Sequence, residues 1–136
     1  MTQEQKELLL KELCARLPYG VKAHIEHDTF YDEIEPYDGT VNTNTINDLL
    51  HNEKLEVRPY LRLISSITEE EERELNGLLP EVYDFTFRME ELLELIQTQK
   101  EIPFHYIDWF NSHHFDYRGL IPMGLALEAP KNMYKI

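Results

Sequence analysis

Five donor residues crowd one short stretch: His105, Asp108, His113, His114 and Asp116. Two histidines and a carboxylate form the facial triad of non-haem iron enzymes, and three such donors hold a catalytic zinc. The spacing is not diagnostic. His105 and Asp108 share a helix face at i,i+3. Adjacent His113 and His114 diverge by about 100° on a helix, so at most one of them joins that face easily. The structural alternative is that one histidine caps a helix C-terminus, where the dipole favours imidazolium, and the other packs on an aromatic ring. A metal set of His105, Asp108 and His113 or His114 is thus the expectation for a small metal-dependent enzyme. It ranks second to a structural role.

Other chemistry is weaker. His24-Ile25-Glu26-His27 places its histidines on opposite faces of a strand and lacks the His-Glu-x-x-His zinc signature. No Gly-x-Ser-x-Gly elbow and no phosphate-binding glycine loop occurs. Cys14, the lone cysteine, lies in an apolar helical stripe and reads as an inert buried thiol. In Asp116-Tyr117-Arg118-Gly119 the aspartate reads as a cap. Arg118 is then left to bind an anion or to pair with a carboxylate among Glu69 to Glu72. The remaining constellation is acidic: Asp28, Asp32, Glu33, Glu35 and Asp38 alternate with Phe30, Tyr31, Ile34 and Tyr37 without a single base. Carboxylates mixed with aromatics suit a basic groove on a protein partner. The plainer reading is a solvated loop with its aromatics anchored.

These residues need elements to position them. Thr2 and Gln5 form a capping box ahead of an apolar stripe at Leu9, Leu10, Leu13, Cys14 and Leu17, predicting a helix over 3–17 that Pro18 and Gly20 stop. Val21, Ala23 and Ile25 alternate with Lys22, His24 and Glu26, as in a half-buried strand. Asp38-Gly39 signals a turn before a strand near Thr40-Val41, and Asn42 to Thr45 suits an exposed edge or loop. Ile46 to Leu50 fits a helical turn. Leu55, Val57, Leu61 and Leu63 share one face of another strand, which Pro59 confines to an edge or bulge. Ser65, Ser66 or Thr68 caps an acidic helix from Glu69 to Leu75 that ends near Asn76-Gly77, and a further helix is predicted over 87–99. Pro103 opens a helix with Tyr106, Ile107, Trp109 and Phe110 inward. Asp116 caps a last helical turn to Ile121, Gly119 within it marks a close backbone approach, and Leu125 to Leu127 returns as a short strand. Residues 131–136 are expected to fray. The order gives a single α+β domain over 1–136, with a small antiparallel sheet of three to four strands.

Several blocks carry a resemblance: Leu13-Cys14-Ala15-Arg16-Leu17-Pro18-Tyr19-Gly20-Val21, Val57-Arg58-Pro59-Tyr60-Leu61-Arg62, Ser65-Ser66-Ile67-Thr68-Glu69-Glu70-Glu71, and His113 through Ile121 with Gly124-Leu125-Ala126. Over most of the chain this resembles a family of short uncharacterised proteins encoded by gut Bacteroidales and their phages or prophages. The resemblance implies a bacterial cytoplasm and a phage or mobile-element link. It implies no activity.

Composition bounds the rest. The 136 residues carry 26 acids against 13 Lys plus Arg, a formal charge of −13. Of these, 22 acids and 10 bases fall in residues 1–100. Phosphate repulsion makes nucleic acid an improbable partner for that region, whereas a basic protein is steered towards it. No run approaches the ~20 apolar residues of a membrane helix, and the N-terminus lacks a signal-peptide pattern. One cysteine suits a reducing compartment, so a cytoplasmic location is expected. No cofactor is expected. The leading expectation is a non-enzymatic interaction or regulatory protein that uses the acidic region.

Overall fold

A computed structural model describes residues 1–27, 35–52, 54–78 and 104–134. The expected helix over 87–99 and the acidic-loop residues Asp28, Phe30, Tyr31, Asp32 and Glu33 lie outside them. The architecture is α+β, a four-stranded sheet with helices packed about it.

Helix α1 spans Gln3–Arg16 and begins at the expected capping box, with Thr2 Oγ1 accepting from Gln5 N–H at 3.1 Å and Gln5 Oε1 from Thr2 N–H at 3.0 Å. Its buried face is Leu9, Glu12, Leu13 and Arg16. Cys14 is exposed, contrary to expectation. The face of Leu9, Glu12, Leu13 and Arg16 is centred between Glu12 and Leu13, and Cys14 lies roughly 150° round the helix from that centre. A 3₁₀ turn, Leu17–Tyr19, ends at Gly20 with φ 68°, a conformation that favours glycine.

The strands are β1 (Lys22–His27), β2 (Tyr37–Thr40), β3 (Leu55–Leu61) and β4 (Leu127–Glu128), in the order β2-β1-β3-β4. The first three are antiparallel, but β4 joins β3 in parallel, so the sheet is mixed rather than wholly antiparallel. Odd-numbered residues Val21, Ala23, Ile25, Val57 and Leu61 face a core shared with Leu9 and Leu13 of α1. Even-numbered His24, Glu26, Glu56, Arg58 and Tyr60 line the other, polar face.

Two strand expectations are corrected. Asp38-Gly39 lies inside β2 rather than in a turn. Gly39 has no positive φ; a Cβ there would stand 3.4 Å from the ring of Tyr37, two residues back on the same face. Pro59 lies in a central strand. Val41 N–H donates to Val21 C=O, so odd residues of β1 turn their backbone groups to β2 and even ones to β3. Pro59, opposite Ala23, therefore owes β1 no hydrogen bond. Its nitrogen faces the side where β4 begins only at the next position, Tyr60 opposite Leu127.

Asn42 to Thr45 is not a loop. Asn42 and Thr45 form a capping box for helix α2, Thr43–His51. Helix α3, Glu69–Leu78, opens with Thr68 Oγ1 accepting from Glu71 N–H at 3.2 Å and runs through Gly77. Helix α4, Phe104–Ser112, packs Tyr106, Trp109 and Phe110 with Leu75, Phe115 and Tyr117 in a second cluster. Residues 117–121 form turns rather than a helix, because the Asp116 carboxylate binds the amides of Leu120 at 2.8 Å and Ile121 at 3.0 Å. Gly119 has φ 77° and nothing within 4 Å of a would-be Cβ, so backbone conformation, not close approach, explains it.

Candidate functional site

Of the expected metal donors, the side chain of His105 lies outside the described residues. The others have separate partners. Asp108 is bonded by the Tyr19 hydroxyl, which raises the phenol's pKa above its ordinary value. His113 stacks on Trp109 with ring centroids 4.2 Å apart, and its Nδ1 lies 2.9 Å from Trp109 O. His114, at φ 63°, stacks on Tyr134 at 3.6 Å. Among the described residues no group of three or more His, Cys, Asp or Glu is placed to hold a metal.

The structure places one arrangement that sequence spacing does not show. Ser112 Oγ lies 3.0 Å from His113 Nδ1, and His113 Nε2 lies 3.2 Å from Glu74 Oε2. These groups line an open groove of about 290 Å³ with Glu70 and Tyr134. The row resembles a serine–histidine–acid triad, but the protons are in the wrong places. Trp109 C=O only accepts, so Nδ1 must carry its hydrogen to meet it. The Ser112 hydroxyl also donates to Trp109 C=O, at 2.8 Å. Nδ1 is therefore no base for the serine.

The arginines are turned inward. Arg62 is 8% exposed and grips Glu71 through both carboxylate oxygens, at 2.7 and 2.8 Å. It also donates to His113 C=O at 3.2 Å and Ser66 C=O at 3.3 Å, and lies 4.2 Å above the Phe115 ring. Burial pushes the Glu71 carboxyl up, but the bonds from Arg62 and Thr68 prevail and its pKa falls below the ordinary value. Arg118 does not reach Glu69 to Glu72. Its Nε stands 2.7 Å from Glu12 Oε1, an ion pair in which the N–H is not aimed at the oxygen. Glu12 also pairs with Arg16 at 3.3 Å, and Arg16 donates to Phe115 C=O at 2.7 Å. Arg118 is thus a salt-bridge residue, and the periodicity of α1 concealed its partner because Glu12 reads as a surface residue.

At the other end of the sheet the charge is open. Glu35, Tyr37 and Asp38, the described part of the acidic region, are all exposed, Tyr37 by 46%. The Tyr37 ring stacks loosely on His27. Asp38 Oδ1 accepts from the Tyr60 hydroxyl at 2.9 Å and lies 2.9 Å from His24 Nδ1, while His24 Nε2 lies 3.0 Å from Glu26. The Asp38 contact, reinforced by Glu26, raises the His24 pKa against the opposing pull of burial. His24 and Tyr60 in turn lower that of Asp38. On α3, Glu69, Glu70, Glu72 and Glu74 are exposed as well.

Among the described residues no helix is long and apolar enough to cross a membrane. Compared with protein families, with curated proteins and with solved structures, the chain matches none of them.

Proposed function

We propose that this chain is a non-enzymatic, acidic interaction or regulatory protein of a bacterial cytoplasm, associated with a phage or other mobile element, and that residues 28–38 meet a protein partner with a basic surface. One observation carries the reading: exposed Glu35, Tyr37 and Asp38 stand at an edge of the sheet, while Arg16, Arg62 and Arg118 are consumed by carboxylates inside the fold. Cations turned inward leave the outer field acidic, which steers a basic partner and repels nucleic acid. The resemblance in sequence supports the setting. The cap-and-stack roles of His113 and His114 favour this reading over metal chemistry.

The experiment is affinity capture from the bacterial host, with the chain and a variant carrying Asp32→Asn, Glu33→Gln and Glu35→Gln as paired baits. The expected result is a specific protein held by the first bait and lost from the second. If every specific partner stays on the neutralised bait, residues 28–38 are not the interface.

A further inference from the structure

Resting on that reading, we infer how the partner is held: β2 accepts an extended, basic segment of it as an added strand. β2 ends the sheet order, with β1 on its inner side. Its register is Lys22 opposite Thr40, Ala23 opposite Gly39, His24 opposite Asp38 and Ile25 opposite Tyr37. Val41 N–H bonds Val21 C=O at 2.9 Å, which fixes the alternation. Tyr37 and Gly39 exchange ladder bonds with β1, and the main-chain N–H and C=O of Asp38 and Thr40 point away from the sheet. Among the described residues nothing pairs with these outward groups. They are the template that strand addition uses.

The side chains select the occupant. A residue facing Asp38 or Thr40 across the new ladder falls on the polar face, beside the Asp38 carboxylate. His24 and Tyr60 both contact that carboxylate through Oδ1, so Oδ2 is left for an incoming Lys or Arg. A residue facing Tyr37 falls on the other face and packs on a half-exposed ring. The segment that fits alternates basic residues with β-branched or aromatic ones. A second copy of this chain is disfavoured, because pairing β2 with β2 brings together two acidic edges, each carrying exposed Glu35 and Asp38.

The test titrates the isotope-labelled chain with two synthetic hexapeptides, alternating Lys-Val and alternating Glu-Val, following amide shifts and hydrogen exchange by NMR. A Thr40→Pro variant removes one outward N–H without touching the β1 ladder. The expected result with Lys-Val is shifts centred on residues 35–41 and slowed exchange at the Asp38 and Thr40 amides. Affinity should drop about tenfold in Thr40→Pro, the weight of one good hydrogen bond, and Glu-Val should not bind. Should Thr40→Pro fail to fold, exchange at Asp38 and Thr40 in the unaltered chain decides. Binding of Lys-Val that leaves those amides unprotected overturns strand addition but leaves an acidic contact surface standing. No binding of Lys-Val anywhere on the chain overturns both.

Discussion

Replacing Arg62 by Met should be strongly destabilising. The guanidinium makes four hydrogen bonds: two to Glu71, one to the His113 carbonyl and one to the Ser66 carbonyl. Methionine fills much of the volume over Phe115 but leaves Glu71, 2% exposed, as a buried carboxylate with only Thr68 for company. Breaking a buried pair from one side costs about 3–5 kcal/mol. For a chain of this size that is roughly 10–15 °C in Tm. Removing both partners is gentler: Arg62→Met with Glu71→Leu should cost about 2 kcal/mol, mostly the lost cap of α3 and two bare carbonyls. The coupling energy should therefore reach at least about 2 kcal/mol. Glu71 in the single variant loses the Arg62 bonds that held its pKa down and burial pushes it up, so protonation should relieve the strain and the cost should shrink as pH falls. Urea denaturation followed by fluorescence reads this directly, since Trp109, the sole tryptophan, stacks 5.8 Å from Phe115. A single-variant cost below about 1 kcal/mol, or a double variant costing the sum of the two singles, would refute the reasoning.

Tyr134→Phe should cost about 1–3 kcal/mol by thermal melting, because the lost hydroxyl strands the Lys22 amide and the Tyr60 carbonyl. The His114 pKa is pushed down to about 4, chiefly by burial, so the unfolded chain takes up a proton first. Stability from this group is complete above about pH 6.5 and fades as pH falls towards 4, by at most about 3 kcal/mol; His114→Gln should flatten that slope in pH-dependent denaturation. His24, with its pKa raised, has the opposite sign: it stabilises below about pH 6.5 and its contribution disappears as pH rises through the folded value, so His24→Gln should matter at pH 5 and little at pH 9. Gly77→Ala, in a regular helix with nothing within 4 Å, should stabilise by about 1 kcal/mol. Gly119→Ala, at φ 77°, should destabilise by about 1–2 kcal/mol, and paired melts compare the two directly.

What the sequence disclosed was local. The capping box at Thr2, the alternation through β1 and β3 and the apolar face of α4 depend on neighbours within a turn or two, and each stands in the structure. What it concealed was set at long range. Arg62 has the parity of a solvent-facing residue beside Arg58 and Tyr60, yet it lies past the end of β3, where residues 114–116 and α3 close over it. Glu12 and Arg16 read as surface charges, but the Phe115 carbonyl and Arg118 meet them from a hundred residues away. The direction of β4 is likewise a matter of which strand it reaches, and two residues hold no period. For the candidate site, composition marked the acidic region. Sequence alone could not assign Asp38 and Thr40 to an outer edge, since that follows from the register with β1.

The hydroxyl of Tyr134 takes the place of a rung between β1 and β3, accepting from Lys22 N–H at 2.9 Å and donating to Tyr60 C=O at 2.7 Å. Lys22 and Tyr134 are 112 positions apart. During synthesis β1 and β3 emerge with their shared end unfinished, and it stays open until Tyr134 has been made. Closing that end requires a contact between distant parts of the chain, which slows folding and leaves the half-made sheet exposed in the meantime.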